Sequence, residues 1–178
     1  GFADMLVLLG IPYNSEAALK IAEDVMKFIN DKARETSVEL GKEKGNFPNF
    51  EKSVWFNKFE AMRNATVTTI APTGSIGVIA GCSTGIEPLF AICYRRELSE
   101  TLGRSLVEIN PLFENIAIRE EFYTEELIKN LARKTSIQDI NEVPENIRRI
   151  FVTAHDISPE WHVRMQATFQ KYVDNAVS

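Results

Sequence analysis

The chain has 178 residues, which is long enough for one sizeable hydrophobic core and too short for two ordinary domains. Apolar residues make up 44% of it and charged residues 25%, as in an ordinary soluble globular protein. The formal net charge of −5 argues against broad electrostatic binding to nucleic acid or to acidic membranes. This net charge does not exclude binding of a phosphorylated small molecule, because a local anion site needs only a few oriented hydrogen-bond donors.

The number of cysteines indicates the cellular compartment, and the lack of repeats indicates how many structural units the chain forms. Cys82 and Cys93 are the only cysteines, too few for a disulfide scaffold, so a reducing cytoplasm is expected. No Lys- or Arg-led apolar segment of the signal-peptide type opens the sequence. No internal repeat, low-complexity tract or Gly/Ser linker divides it. We therefore expect residues 1–178 to form a single unit.

The first predicted element is a long helix over about residues 15–44. Asn14 or Ser15 can cap its start, and Gly45 follows its end. Apolar residues recur at three- and four-residue spacing along one face: Leu19, Ala22, Met26, Ile29 and Ala33. A shorter amphipathic stretch follows at residues 51–62. Residues 66–70 are rich in β-branched side chains and predict a strand that Pro72 closes.

The second half of the chain is predicted to be helical. Asn110 with Pro111 opens one helix, and Thr124 opens another that runs to about Arg133. Residues 144–151 form a short third helix, and Ser158 starts the last one. The apolar residues along one face of that last helix are Trp161, Met165, Phe169 and Tyr172, and we interpret them as core residues. Few strands among many helices predict a piece of an α/β architecture.

Residues 64–94 carry one charged side chain, that of Glu87. A neutral run of this length belongs either in a membrane or in the interior of a larger protein. Two prolines, four glycines and several hydroxyl residues interrupt it, so it cannot supply a membrane helix of about 20 apolar residues. We therefore expect this run to be interior, with Glu87 as a buried carboxylate.

Within this run, residues 71–77 read Ala-Pro-Thr-Gly-Ser-Ile-Gly. If the chain turns through Gly74 with positive φ, consecutive backbone N–H groups can point at one spot. The hydroxyls of Thr73 and Ser75 would add donors. Such a nest can bind phosphate oxygens without lysine, and no basic residue lies between Arg63 and Arg95. The alternative is an ordinary tight turn between buried segments, and the loop lacks the Gly-Lys-Ser/Thr ending of a Walker A motif.

Longer stretches of the sequence are more specific than this turn. They are residues 1–5 (GFADM), 45–50 (GNFPNF), 64–76 (NATVTTIAPTGSI), 79–90 (IAGCSTGIEPLF), 108–113 (EINPLF) and 151–162 (FVTAHDISPEWH). In this order they resemble the adenosylcobalamin-dependent (class II) ribonucleotide reductases over essentially the whole chain. The chain resembles the C-terminal part of the catalytic barrel of these enzymes. Residues 174–178 resemble the beginning of the final barrel strand.

The resemblance implies a fold and a site. The fold would be part of a ten-stranded α/β barrel, helix-rich in this segment. The loop that holds the substrate's phosphates matches Pro72, Thr73, Gly74, Ser75 and Ile76, mainly through backbone amides and hydroxyls. Gly77 departs from the pattern, since relatives more often carry a hydroxyl residue there. A side-chain contact at that position is therefore in doubt, whereas the amide nest is unaffected.

The resemblance also implies an activity for the parent enzyme. It would convert ribonucleotides to deoxyribonucleotides by radical chemistry, with adenosylcobalamin as cofactor and a thioredoxin-like thiol as reductant. Its other partners would be the ribonucleotide and the remainder of the reductase chain, with a homodimer left open. Two alternatives remain: the same segment of a class I large subunit, or a non-catalytic scaffold fragment. The amino-acid sequence of residues 81–85 argues against a class I large subunit.

Several residues carry no assigned role at this stage. The family's radical cysteine lies in an Asn-x-Cys-x-Glu motif, which this sequence lacks, so no catalytic residue is predicted and the isolated chain should be inactive. Cys82 and Cys93 match no reducing pair and are expected to be small buried residues. His155 and His162 lie seven apart, which does not suit a helical metal pair, and no metal site is predicted. Arg95 and Arg96 are expected to be a solvated pair.

Overall fold

The computed structural model describes residues 1–97 and 105–177; at 95–97 and 105–107 it describes the backbone alone. Contacts divide the chain into two compact units. The first unit contains residues 1–18 and 72–162, and the second contains residues 19–71 and 163–178. Each unit is therefore built from two separate segments of the sequence.

The described elements follow one another in this order: α1 (Phe2–Leu8), α2 (Glu16–Lys44), a 3-10 turn (Phe50–Lys52), α3 (Gly74–Ala80), β1 (Cys93–Glu97), β2 (Ser105–Ile109), α4 (Pro111–Arg119), α5 (Glu125–Leu131), α6 (Glu145–Ile150) and α7 (Pro159–Gln170). The predicted helices are confirmed to within two residues at nearly every end. None of the described helices is both long and apolar enough to cross a membrane.

Local capping explains where these helices begin. The Ser15 hydroxyl accepts the N–H of Ala18 at 3.1 Å at the start of α2. Asn110 Oδ1 accepts two N–H groups of α4, at 3.0 and 3.1 Å. Thr124 Oγ1 accepts the N–H of Leu127 at the start of α5. Each cap satisfies donors that would otherwise lack a partner in the first helical turn.

The first unit has its core among α4, α5, α6 and the residues that follow them. The rings of Phe113 and Phe151, both with no exposed surface, meet edge to face at 5.3 Å between centroids. The core also contains Leu6, Leu127, Leu131, Ile137 and Val143. β1 and β2 form an antiparallel hairpin in which Cys93 pairs with Ile109. The sequence reading did not predict this hairpin.

The second unit is organised around α2. Asp174 is 6% exposed in its side chain and forms an ion pair with Arg34, which is 19% exposed. The same carboxylate accepts the N–H of Val67 at 2.7 Å. Arg34 also stacks on Trp55, with its guanidinium carbon 4.2 Å from the ring centroid. A buried pair satisfied on several sides in this way fixes the geometry of the segments that supply it.

Two parallel bridges represent the barrel strands within this chain. Ile70 pairs with Val177 in the second unit, and Leu89 pairs with Thr153 in the first. Parallel pairing is the arrangement expected of an α/β barrel. The predicted strand at residues 66–70 is present as a bridge at Ile70, and the carbonyl of Thr68 also accepts the N–H of Asn175 at 3.2 Å.

Candidate phosphate-binding site

The five residues predicted to hold phosphates lie at the beginning of α3. Thr73 occupies the N-cap position with φ 53° and ψ 34°, and the helix runs from Gly74 to Ala80. The N–H of Gly77 donates to the Thr73 carbonyl at 2.9 Å, which closes the first turn. The N–H groups of residues 74–76 consequently point out of the open end of the helix.

These donors are available to a ligand. Residues 72–76 are all exposed, and no side chain caps the helix. Among the residues that the structure describes, no acceptor is bonded to the N–H groups of residues 74–76. Backbone N–H groups arranged in this way can bind an anionic oxygen, and the exposed hydroxyls of Thr73 and Ser75 add donors.

The turn differs from the prediction in one respect. Positive φ was expected at Gly74, but it occurs at Thr73, and Gly74 is an ordinary helical residue. A threonine in the left-handed region is uncommon, since its branched Cβ opposes that conformation. A Cβ added at Gly74 would meet nothing within 4 Å. Any need for glycine at position 74 therefore comes from space for a ligand and not from backbone strain.

Gly77 is buried and faces away from the open helix end. A Cβ at this position would lie 2.7 Å from Thr84 Cγ2 and 3.3 Å from the Cys82 carbonyl oxygen. A side chain here would therefore collide with residues 82–84. The Cα–Cβ direction at position 77 leads to Thr84.

The segment after α3 is tied to the N-terminal part of the first unit. Asp4 Oδ2 accepts the N–H of Ser83 at 2.6 Å, and Ser83 Oγ accepts the N–H of Asp4 at 3.2 Å. The Tyr13 hydroxyl donates to the Ile86 carbonyl at 2.7 Å. Burial, and secondarily the charge of Glu87, raise the pKa of Tyr13 well above its usual range, so it stays a neutral donor. These hydrogen bonds fix the position of residues 83–86 beside α3.

Two predictions about burial in this segment are wrong. Glu87 is exposed, and it accepts a 3.3 Å hydrogen bond from the Thr84 hydroxyl. Cys82 is also exposed, and it follows the left-handed residue Gly81 that ends α3. Cys93 is buried as predicted, and burial raises the pKa of its thiol. Much of the run at residues 64–94 is exposed in this chain, including Ile76, Val78, Ile79 and Phe90.

The histidines do not form a metal site. His155 is exposed, and its ring meets that of Phe90 at 5.8 Å; His162 Nε2 lies 3.1 Å from the Ala154 carbonyl oxygen. Within residues 1–97 and 105–177, no group of three or more His, Cys, Asp or Glu side chains could hold a metal ion. Arg95 and Arg96 lie in β1, and their side chains fall outside the described part.

The arrangement is suited to binding an anion. The open turn offers three backbone donors and two hydroxyls. Sequence reasoning missed Asp4, Ser83 and Thr84, which support the loop. No local signal marks the Asp4–Ser83 pair, because the two residues lie 79 apart in the sequence.

Comparison with known proteins agrees with the family resemblance seen in the sequence. The family model described as "Ribonucleotide reductase, barrel domain" matches residues 1–61 and 57–178. The chain is 49% identical to a vitamin B12-dependent ribonucleoside-diphosphate reductase of Thermoplasma acidophilum and 43% identical to one of Mycobacterium tuberculosis, each over 178 residues. It covers 23% and 25% of those two proteins, so it spans about a quarter of the length of the curated relatives it matches.

A solved structure extends the likeness to the fold. The Actinobacillus ureae class Id ribonucleotide reductase alpha subunit superimposes with a TM-score of 0.78 at 22% identity. The alignment covers 98% of this chain and 30% of that subunit. The arrangement of helices and parallel bridges is therefore that of part of a reductase barrel.

Proposed function

Because the chain belongs to the ribonucleotide reductase barrel family, we propose that it forms the substrate-phosphate-holding segment of a larger reductase. Pro72, Thr73, Gly74, Ser75 and Ile76 bind the phosphates. The observation that carries this proposal is the open turn of α3, where three N–H groups bind no acceptor among the described residues and lie beside two exposed hydroxyls. Residues 1–178 serve as a single segment of the catalytic barrel domain.

The contribution of this segment to the reaction is orientation. Anchoring the phosphates fixes the ribose in one position, and fixing a reactant converts binding energy into rate. The parent replaces the ribose 2′-hydroxyl with hydrogen, and adenosylcobalamin supplies the radical for that reaction when bound. This chain has no Asn-x-Cys-x-Glu motif, so its own residues bind and position the substrate while other parts of the parent carry out the radical chemistry.

The identities favour a cobalamin-dependent parent over a class I large subunit. Two relatives named vitamin B12-dependent reductases are 43–49% identical, whereas the alpha subunit of Chlamydia pneumoniae is 24% identical. The names of the relatives also favour ribonucleoside diphosphates as substrates. The parent is further proposed to be cytoplasmic, to be reduced by a thioredoxin-like thiol and to admit a homodimer.

Two substitutions in the full-length reductase test the loop. Ser75→Ala removes one hydrogen bond to a charged group, worth about 1.5–3 kcal/mol. Nucleotide affinity should therefore fall by roughly 10- to 150-fold, since 1.4 kcal/mol corresponds to tenfold. Gly74→Val should weaken binding further, because its branched side chain would stand in front of the donors that the phosphate needs.

Titration with nucleotide and, separately, with cobalamin measures both effects. Cobalamin affinity should be unchanged in both variants, since the loop addresses the substrate. Normal nucleotide binding by Gly74→Val would show that the loop is an ordinary turn.

A further inference from the structure

Asp4 and Ser83 exchange two hydrogen bonds between segments that lie far apart in the sequence. The N–H of Ser83 donates to Asp4 Oδ2 at 2.6 Å, and the N–H of Asp4 donates to Ser83 Oγ at 3.2 Å. The first of these bonds has a carboxylate as its acceptor, and bonds of that kind are roughly twice as strong as neutral ones. The pair therefore fixes the backbone of residue 83 against the first turn of α1.

The helix α1 is a firm support for this pair. Much of its surface is buried in the first unit, at Phe2, Ala3, Leu6 and Val7. The N–H of Phe2 also donates to the Gly85 carbonyl at 3.3 Å, which adds a further bond between α1 and the segment after α3. Because α1 is held by its own buried side chains, Asp4 can hold Ser83 in turn.

The residues on either side of Ser83 contact α3 at Gly77. The N–H of Cys82 donates to the Gly77 carbonyl at 3.1 Å. The Thr84 methyl group lies 2.7 Å from the position that a Cβ at residue 77 would take. Since Gly77 has no side chain, the backbone of α3 lies directly against residues 82–84.

Gly77 is in turn bonded to the phosphate loop. Its N–H donates to the Thr73 carbonyl at 2.9 Å, and Thr73 has a left-handed backbone with φ 53°. A branched residue keeps this sparsely populated conformation only where its surroundings hold it. The directions of the N–H groups of residues 74–76 therefore depend on contacts outside the loop.

We propose that Asp4 is a positioning residue for the substrate's phosphates. It holds residues 82–84 against Gly77, and so keeps the N–H groups of residues 74–76 aligned for the phosphate oxygens. This inference rests on the proposed function, because Asp4 acts through the loop and not on the substrate itself. Donors that are aligned before binding lose less freedom when the ligand binds. Asp4, Ser83 and α3 all belong to the first unit, so the connection lies within one compact body.

Asp4→Ala in the full-length reductase tests this role, with a ribonucleoside diphosphate as the ligand. Without the carboxylate, residue 83 is released from α1. Nucleotide affinity should fall by roughly 2- to 30-fold, the range expected of a residue that is coupled to a site without contacting its ligand. Cobalamin affinity should not change. Hydrogen exchange at the amides of residues 77–83 should become faster, because that segment would open more often.

Three further variants sharpen the comparison. Asp4→Asn keeps an oxygen that can accept the Ser83 N–H, so it should retain most of the nucleotide affinity. Ser83→Ala removes the neutral acceptor alone and should cause a smaller loss than Asp4→Ala. Asp139→Ala is the matched control, because Asp139 lies in the same unit and pairs with Lys134 at an exposed site. Exposed ion pairs contribute little, so this control should bind nucleotide normally.

A double variant separates positioning from general destabilisation. If Asp4 acts through the loop, Asp4→Ala combined with Ser75→Ala should lose less affinity than the product of the two single losses. The reason is that a displaced loop makes less use of the Ser75 hydroxyl. A merely structural Asp4 would lower the melting temperature and either leave nucleotide affinity unchanged or give losses that multiply.

The outcomes distinguish this inference from the proposed function. If Ser75→Ala weakens nucleotide binding and Asp4→Ala does not, the positioning role is overturned and the phosphate loop stands. Losses that multiply in the double variant would also overturn the positioning role. If neither Ser75→Ala nor Gly74→Val weakens nucleotide binding, the proposed function itself fails, whatever Asp4→Ala does to hydrogen exchange, and the role of Asp4 toward the phosphates fails with it.

Discussion

At the scale of single residues, Gly77 decides how closely α3 can approach the segment that follows it. The Thr84 methyl group and the Cys82 carbonyl occupy the space that a Cβ at position 77 would need. The N–H of Cys82 also donates to the Gly77 carbonyl at 3.1 Å. The loop therefore depends on a pairing of glycine at 77 with the particular side chain at 84.

Gly77→Ala should destabilise the chain although alanine is the better helix former. The propensity gain is about 1 kcal/mol, whereas inserting a methyl group 2.7 Å from Thr84 Cγ2 costs about 1–3 kcal/mol. Adding Thr84→Ser should restore most of the loss, because serine keeps the hydroxyl and removes the clashing methyl. Urea unfolding of the two single variants and the double variant measures this coupling; additive losses would contradict it.

At the scale of elements, α2 has the small residues Ser37 and Gly41 where residues 62–64 pass over it. The hydroxyl of Ser37 accepts the N–H of Asn64 at 3.0 Å, and its carbonyl accepts the N–H of Arg63 at 2.8 Å. One helical turn later, a Cβ at Gly41 would lie 2.7 Å from the backbone nitrogen of Met62. Backbone thus approaches backbone here, at a distance that any side chain would prevent.

Gly41→Ala is expected to destabilise the second unit. Alanine in the middle of a helix would normally stabilise by about 1 kcal/mol, but the clash is with backbone atoms that cannot rotate away. Gly74→Ala is the matched control, since its Cβ meets nothing within 4 Å and its backbone is helical. Thermal unfolding should show a lower midpoint for Gly41→Ala and an unchanged or higher one for Gly74→Ala. Equal midpoints would show that the helix moves to accommodate the methyl group.

At the scale of the whole molecule, α3 presents exposed apolar residues. Val78 and Ile79 are 71% and 86% exposed. The chain spans about a quarter of the length of the curated relatives it matches, and we propose that other segments of a protein of that length cover α3. Exposed apolar surface of this kind promotes association.

We expect the chain, produced alone, to self-associate or to be marginally stable. Ile79→Lys should reduce the association, because a charge on α3 opposes burial of that face. Light scattering across a concentration series measures it, with Lys20→Glu as a control substitution at an exposed site on α2. A monodisperse, thermally robust monomer of the unsubstituted chain would contradict this expectation.

The lack of a radical-cysteine motif in this sequence predicts that the isolated chain has no reductase activity. Phosphate binding at the α3 turn, as proposed, would not be enough for turnover, because the chain lacks the Asn-x-Cys-x-Glu motif that the family resemblance assigns to the radical step. Incubation with adenosylcobalamin, a dithiol and ribonucleotides, followed by an assay for deoxyribonucleotides, should give background values. Turnover above background would mean that other residues of this chain support the chemistry.

The sequence by itself determined the family and five of the described helices, whereas α1 and α3 were not predicted from it. The caps at Ser15, Asn110 and Thr124 act on N–H groups two or three residues away, so neighbouring residues are enough to predict where α2, α4 and α5 begin. The family resemblance of residues 64–90 assigned the phosphate loop to residues 72–76, a prediction that binding experiments can test. Local signals of this kind require no knowledge of the folded chain.

The tertiary structure decided burial, backbone strain and close approach. Asp4 and Ser83 meet across 79 residues of sequence, and Cys82 and Glu87 lie at the surface although burial was predicted for both. The left-handed conformation falls on Thr73 and not on Gly74, although glycine adopts it more easily. Propensity describes a residue among its neighbours in sequence, whereas these features depend on contacts between segments that folding brings together.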